Sequence, residues 1–233
     1  MDRTHDEGDV DLWSVWVDGA DDQAAAFALL DNDERARADR FRFRRDRDRY
    51  VVRHAFLRRV LAGYVDADPA RVDIRIGAHG KPELHPEYGL SFNASHGDGL
   101  AVVSVTRGRR VGVDIERLRT IDDAMDVAAG HLTEREVAQL RSTPQASRSH
   151  VFLTLWTRKE SFVKAVGGGL SIPLNSFDCS AVGQDGMGRP RGPAGDLPFA
   201  FLGLDGLDGY VGTVTVEGKR VAIHRMDLAD VAA

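Results

Sequence analysis

Residues 155–170 read LWTRKESFVKAVGGGL. Trp156, Phe162, Val163 and Val166 predict one helix of about four turns with apolar surface, ended by Gly167 to Gly169. Three charges, Lys159, Glu160 and Lys164, are set into its middle. Glu160 and Lys164 stand four apart in the favourable order, and on a solvated surface such a pair contributes only about 0.3–0.5 kcal/mol. Their bulky neighbours, Leu153, Trp156, Phe162 and Val163, imply burial instead, where a Lys and a Glu want a further ion or an anionic ligand between them.

The lysines are scarce. The chain has Lys81, Lys159, Lys164 and Lys219, and arginine supplies 27 of its 31 basic residues. Lys219 falls in the turn Glu217-Gly218-Lys219, which leaves three positions where a compact point charge replaces the usual planar fork. Eleven of the arginines lie between residues 35 and 59 against Asp39, Asp46 and Asp48, a local balance of +8 in a chain of net charge −5. Such a segment is either a solvated helix face or an anion site for phosphate or nucleic acid. Arg45, Arg49 and Arg53 recur every four residues and share one face of a helix expected over 46–64, whose core face carries Tyr50, Leu57, Leu61 and Tyr64.

Outward from these helices the pattern is α/β (α+β). Strands are expected at 12–17, 72–76, 90–94, 100–106 and 111–115, with a helix at 21–30. The order then repeats loosely, with helices at 134–141 and 150–166 and strands near 176–182, 199–204, 210–216 and 221–225. This predicts two similar halves, 1–117 and 118–233, joined near residues 117–123. Each would be an antiparallel sheet packed with a long helix, the two related by a pseudo-twofold axis. The connections 107–110 and 217–219 have hairpin length, and Gly183 to Pro198 is expected to be an exposed loop.

At 233 residues and 42% hydrophobic content the chain can bury a sizeable core. Its opening, MDRTHDEGDVDLW, is acidic where a signal peptide would be basic and then apolar, and no apolar run is long enough to span a membrane. The single cysteine, Cys179, excludes an intramolecular disulfide and any Cys-rich zinc site. These features predict a cytoplasmic protein with no membrane partner.

Four short stretches carry chemistry. In Val111-Gly112-Val113-Asp114-Ile115-Glu116, a strand, Asp114 and Glu116 project from the same side of the pleat. Unless that face is solvated the pair needs a cation, and such hard oxygens suit Mg2+ or Mn2+. Phe92-Asn93-Ala94-Ser95-His96-Gly97 puts a hydroxyl and an imidazole at a strand end. It lacks the G-x-S-x-G elbow, and phosphate binding suits it better than nucleophilic catalysis. Gly80-Lys81-Pro82 fixes where an ammonium points. Gly167 to Gly169 lacks a P-loop pattern.

In their order, GKP, FNASHG, VGVDIE and WTRKESFVKA resemble the motif series of the 4'-phosphopantetheinyl transferases of the surfactin-synthetase-activating, two-half type, over residues 35–180 and including GGLSIPLNSF. That resemblance implies transfer of the phosphopantetheine arm of coenzyme A to a serine of an apo acyl or peptidyl carrier protein, releasing adenosine 3',5'-bisphosphate. It implies Mg2+ held by Asp114, Glu116 and Glu160, and Lys164 on the phosphates with Lys159 nearby. Glu160, or Glu116 through a water, would be the general base. Lys81, Pro82, Ser95 and His96 would bind the nucleotide end and Arg45, Arg49 and Arg53 the 3'-phosphate. It further implies a monomer serving polyketide and nonribosomal peptide biosynthesis. Glu136 aligns with another family acid, but Thr133-x-x-Glu136 also reads as a capping box, and the structural reading is preferred. The rivals are a coenzyme A sensor without transfer and a nucleic-acid-binding protein using the arginine-rich helix, the latter opposed by net charge and the lack of interleaved aromatics.

Overall fold

The structure is a computed structural model and describes residues 9–19, 22–77 and 79–228. Residues 1–8 of the acidic opening and residues 229–233 lie outside it. In chain order the elements are β1 (Val10–Trp16), α1 (Gln23–Ala28), α2 (Asn32–Ala38), α3 (Arg44–Val65), β2 (Arg75–Ile76), β3 (Pro82–Glu83), β4 (Leu90–Gly97), β5 (Leu100–Arg107) and β6 (Val111–Arg117). There follow α4 (Ala124–His131), α5 (Glu134–Ser142), α6 (Gln145–Val166), β7 (Met187–Gly188), β8 (Arg191–Gly192), β9 (Gly195–Asp196), β10 (Phe199–Gly203), β11 (Tyr210–Glu217) and β12 (Ile223–Met226).

Two four-stranded sheets form, in the orders β12-β1-β5-β4 and β6-β11-β10-β7. Their facing sides share one core, in which Val10, Leu12, Leu100 and Val102 meet Val111, Val113, Val214 and Val216. Alternation along the strands sends the other set outward. Trp13, Val103 and Val105 pack on Phe56, Val60 and Leu61 of α3. The second long helix, α6, lies on the outer side of β6 and β11 and is covered in turn by α4 and α5 through Ala128, Leu140, Phe152 and Leu155. Helix α2 is pinned to α3 by Arg58, only 1% exposed, which donates to Asp31, Glu34 and the carbonyls of Pro69 and Val72.

The two expected hairpins are crossovers. Residues 107–110 lead from β5 to β6, yet β6 pairs with β11 and not with β5. Likewise the chain after β11 leaves for the first sheet, where β12 runs parallel to β1. The sheets therefore exchange strands across the expected boundary at residue 117. A turn of hairpin length permits this because the two connections lie side by side and stitch each other. Arg109 donates to the carbonyls of Glu217 and Arg220, and Arg110 forks onto the Glu217 carboxylate at 2.8 and 3.0 Å.

Other differences are local. Of the expected strand 72–76 only Arg75–Ile76 pairs, and 176–182 contributes isolated bridges at Asp178 and Val182. Short strands β7 to β9 occur within the expected loop 183–198. Helices α2 and α4, unforeseen, follow an Asp31–Glu34 capping box and the linker 118–123 respectively. No helix among the described residues is long and apolar enough to cross a membrane.

Candidate active site

The site forms where α6 lies on β6. Glycine at 112 lets it: a Cβ there would stand 2.1 Å from the Ser161 carbonyl oxygen and 2.4 Å from the Ala165 nitrogen. The helix presents small residues at every fourth position, and Thr157 and Ser161 pair with Thr213 and Thr215 of β11 at 3.0 and 2.7 Å. With its small face set on the sheet, α6 ends at Gly167, whose φ of 79° stops the helix.

This contact brings Lys164 onto the acidic strand. Its Nζ donates to Asp114 Oδ1 at 2.7 Å, Ser95 Oγ at 3.2 Å and the Val113 carbonyl at 3.3 Å. Ser95 Oγ donates to the same Asp114 oxygen at 3.0 Å. The other oxygen, Oδ2, is buried with no hydrogen-bond partner among the described residues. Burial raises the Asp114 pKa, against the pull of Lys164. The Glu160 carboxyl is likewise raised, by burial first and by Asp114 next, with Glu116 adding to it and Lys164 opposing. Glu116 shares an ion pair with Arg119 at 3.2 Å.

Glu160 and Lys164 line a cleft of about 620 Å³ with Lys81, Pro82, Asn93 and Trp156. Lys81 is bound into its wall, donating to the carbonyls of Val111 at 3.0 Å and Lys164 at 2.8 Å, and burial lowers its pKa to about 8. A smaller pocket of about 190 Å³ gathers Arg53, Ser95 and His96 with Arg37, Tyr50 and His54. His96 is pushed down to about 4 by burial, then by the charges of Arg53 and Lys164, so its imidazole is neutral at pH 7.

Not every residue expected at the site is there. Lys159 does not face the cleft: it is fully buried on another side of α6, paired with Glu136 at 2.8 Å and donating to the carbonyls of Leu174 at 2.8 Å and Phe177 at 2.5 Å. Glu136 closes the Thr133 capping box, as preferred from the sequence, and accepts the Cys179 amide at 2.7 Å. Arg49 is held by Asp18 in a two-pronged bond of 2.7 and 2.6 Å, and Arg45 is exposed beside Asp46. Of the three arginines only Arg53 joins His96. Arg37, on α2, belongs to the arginine-rich span 35–59 but has no individual role expected from the sequence, because no helical spacing links it to α3. Asn93, in the motif of Ser95 and His96, has no role expected from the sequence and also lines the cleft.

Asp114 and Glu160, each raised by burial and by neighbouring carboxylate charge, stand with Glu116 as three hard oxygen donors, one with a buried oxygen unpartnered among the described residues, a set that suits a hard divalent cation. As they stand, no three His, Cys, Asp or Glu side chains among the described residues are close enough together to hold one.

Comparison with known proteins gives the class. The 4'-phosphopantetheinyl transferase superfamily model matches residues 110–192, and that of the 4'-phosphopantetheinyl transferase N-terminal region matches residues 14–107. The chain is 36% identical over 214 residues, 90% of its length and 88% of the relative's, to the 4'-phosphopantetheinyl transferase HetI of Nostoc sp.. It is 28% identical over 169 residues, 71% of this chain and 74% of the relative's, to a 4'-phosphopantetheinyl transferase of Bacillus subtilis. Over 179 residues, 76% of this chain and 78% of the relative's, it is 25% identical to Sfp of Bacillus subtilis strain 168. It is a transferase by these matches. More narrowly, the chain belongs to the 4'-phosphopantetheinyl transferases.

Proposed function

We propose that the cleft between α6 and β4 transfers the 4'-phosphopantetheine arm of coenzyme A to a carrier-protein serine, releasing adenosine 3',5'-bisphosphate. The observation that carries this is Asp114, buried, bound on one oxygen by Lys164 and Ser95 and unpartnered on the other among the described residues. In this reading Asp114, Glu116 and Glu160 would hold Mg2+ or Mn2+, which would supply positive charge against the pyrophosphate and the departing nucleotide. Lys164 moves between Asp114 and the phosphates, since a point charge on a flexible stem can serve both. Glu160, whose raised pKa brings it nearer to neutral pH, takes the proton of the incoming serine hydroxyl. Glu116 is the alternative base through a water.

Arg53 and Arg37, beside the neutral His96, form the basic wall for the 3'-phosphate, and the backbone around Lys81-Pro82 borders the nucleotide end. The arginine-rich helix gives little support to nucleic-acid binding, because Arg44, Arg45, Arg47, Arg49 and Arg58 are each paired with a carboxylate of the chain. The proposal also places the chain in the cytoplasm as a monomer, serving polyketide and nonribosomal peptide biosynthesis. Intact-mass measurement tests it: with coenzyme A, Mg2+ and a set of apo carrier domains, at least one carrier gains a single phosphopantetheinyl group. A folded protein that modifies none of them overturns it.

A further inference from the structure

Strands β4 and β6 run along the seam between the sheets, yet no backbone ladder joins them. Side chains take its place. Asn93 Oδ1 accepts the Val113 amide at 2.9 Å, and Ser95 Oγ accepts the Ile115 amide at 3.3 Å. Two side chains two residues apart on β4 thus bond two amides two residues apart on β6. This fixes the register of the acidic strand, and a slip by one residue would turn Asp114 away from α6. Both residues are buried, each 7% exposed.

A serine hydroxyl has one hydrogen and two lone pairs. In Ser95 the hydrogen goes to Asp114, and the lone pairs take Ile115 N–H and the Lys164 ammonium. Its one hydrogen is committed to Asp114, so even with Lys164 turned to the phosphates the hydroxyl has no donor left for a phosphate oxygen. Ser95 and His96 both border the basic pocket with Arg53, but the Ser95 hydroxyl is turned onto the acidic strand, whereas no such bond to that strand engages the His96 ring among the described residues.

We propose that Ser95 and Asn93 are positioning residues that act through the acidic strand, with Ser95 aiming Asp114 and Lys164 and making no contact with coenzyme A. This rests on the transferase reading above, and the parent protein serves as its control: a parent that transfers nothing counts against that reading alone.

The test measures Ser95→Ala in three ways. Turnover with coenzyme A, Mg2+ and a carrier falls about 10- to 100-fold, as when the partner of a metal-ligating group is removed. Coenzyme A affinity by calorimetry in EDTA stays within about twofold of the parent, whereas His96→Ala weakens it about fivefold or more, the worth of a lost hydrogen bond. Hydrogen exchange of the Ile115 amide quickens while that of Val113 does not, and Asn93→Ala reverses the pair. Ser95→Thr, which keeps the hydroxyl, restores turnover to within about threefold of the parent, since a retained donor and acceptor set spares the bond. Loss of EDTA affinity in Ser95→Ala equal to that in His96→Ala, with Ile115 protected as in the parent, would overturn the proposal. Should Ser95→Ala not fold, Ser95→Thr decides: retained affinity and a protected Ile115 support it, and loss of affinity with Ile115 still protected contradicts it.

Discussion

Lys159 and Lys164 sit five residues apart on one helix, each against a buried carboxylate at under 3 Å, and the two pairs are built for opposite ends. At Lys159 every bond is made: its three hydrogens go to Glu136 and two carbonyls, while Glu136 holds in addition the Thr133 and Cys179 amides. At Lys164 the partner Asp114 keeps one buried oxygen unpartnered among the described residues, and Glu160 crowds it with like charge. A closed pair stabilises the packing of α5 and the 174–179 segment on α6. An open one is an unfinished site.

The largest effect should come from opening the unfinished pair. Asp114→Ala is expected to lower turnover by about 100- to 1,000-fold or more, the scale on which a single charge-stabilising group acts. Its circular dichroism and cooperative unfolding should stay those of the parent, and substantial residual turnover at ordinary Mg2+ would break the comparison.

The closed pair should behave in reverse. Lys159→Met leaves Glu136 buried without its cation, which costs about 3–5 kcal/mol, read as a lower urea midpoint. Turnover per folded molecule should change little, and a large loss of turnover at unchanged stability would put Lys159 in the site after all.

A smaller effect separates the arginines. Arg53→Ala should weaken coenzyme A binding about tenfold, roughly one charge-assisted hydrogen bond, and Arg45→Ala should not. Calorimetry showing equal losses would place the 3'-phosphate elsewhere.

The smallest concerns pH. The folded pKa of Glu160 lies above its unfolded value near 4.5, so the folded state binds its proton more readily. Its ionised form opposes folding at neutral pH, and the penalty is relieved as pH falls toward that unfolded value. Glu160→Gln should therefore be slightly more stable than the parent at pH 7, with the difference shrinking on acidification. A less stable variant at pH 7 would contradict this.

Much of this was legible in short stretches. The period of 155–170, its glycine stop and the pleat of VGVDIE placed α6 and the two acids, because helix and strand periods are local properties. The face of each charge was not. Position 159 is one residue from 160 and points to a different side, and its partner Glu136 comes from a capping box on another helix. The contact surface of α6 was also hidden, since Thr157 and Ser161 read as polar until their hydroxyl partners on β11 are known. The exchanged strands were not legible either. A connection as short as 107–110 does not say whether the next strand pairs with the last one or crosses to another sheet, and that is decided by the distant β11.

The open and closed pairs are compared most directly by titrating Mn2+ into the coenzyme A complex by calorimetry. The parent and Glu136→Gln, in its folded fraction, should each bind one ion per chain with similar affinity, and Asp114→Asn should bind it about tenfold or more weakly, as loss of a ligating carboxylate demands. Equal affinity in Asp114→Asn and the parent would show that the open oxygen of Asp114 is not where the cation is held.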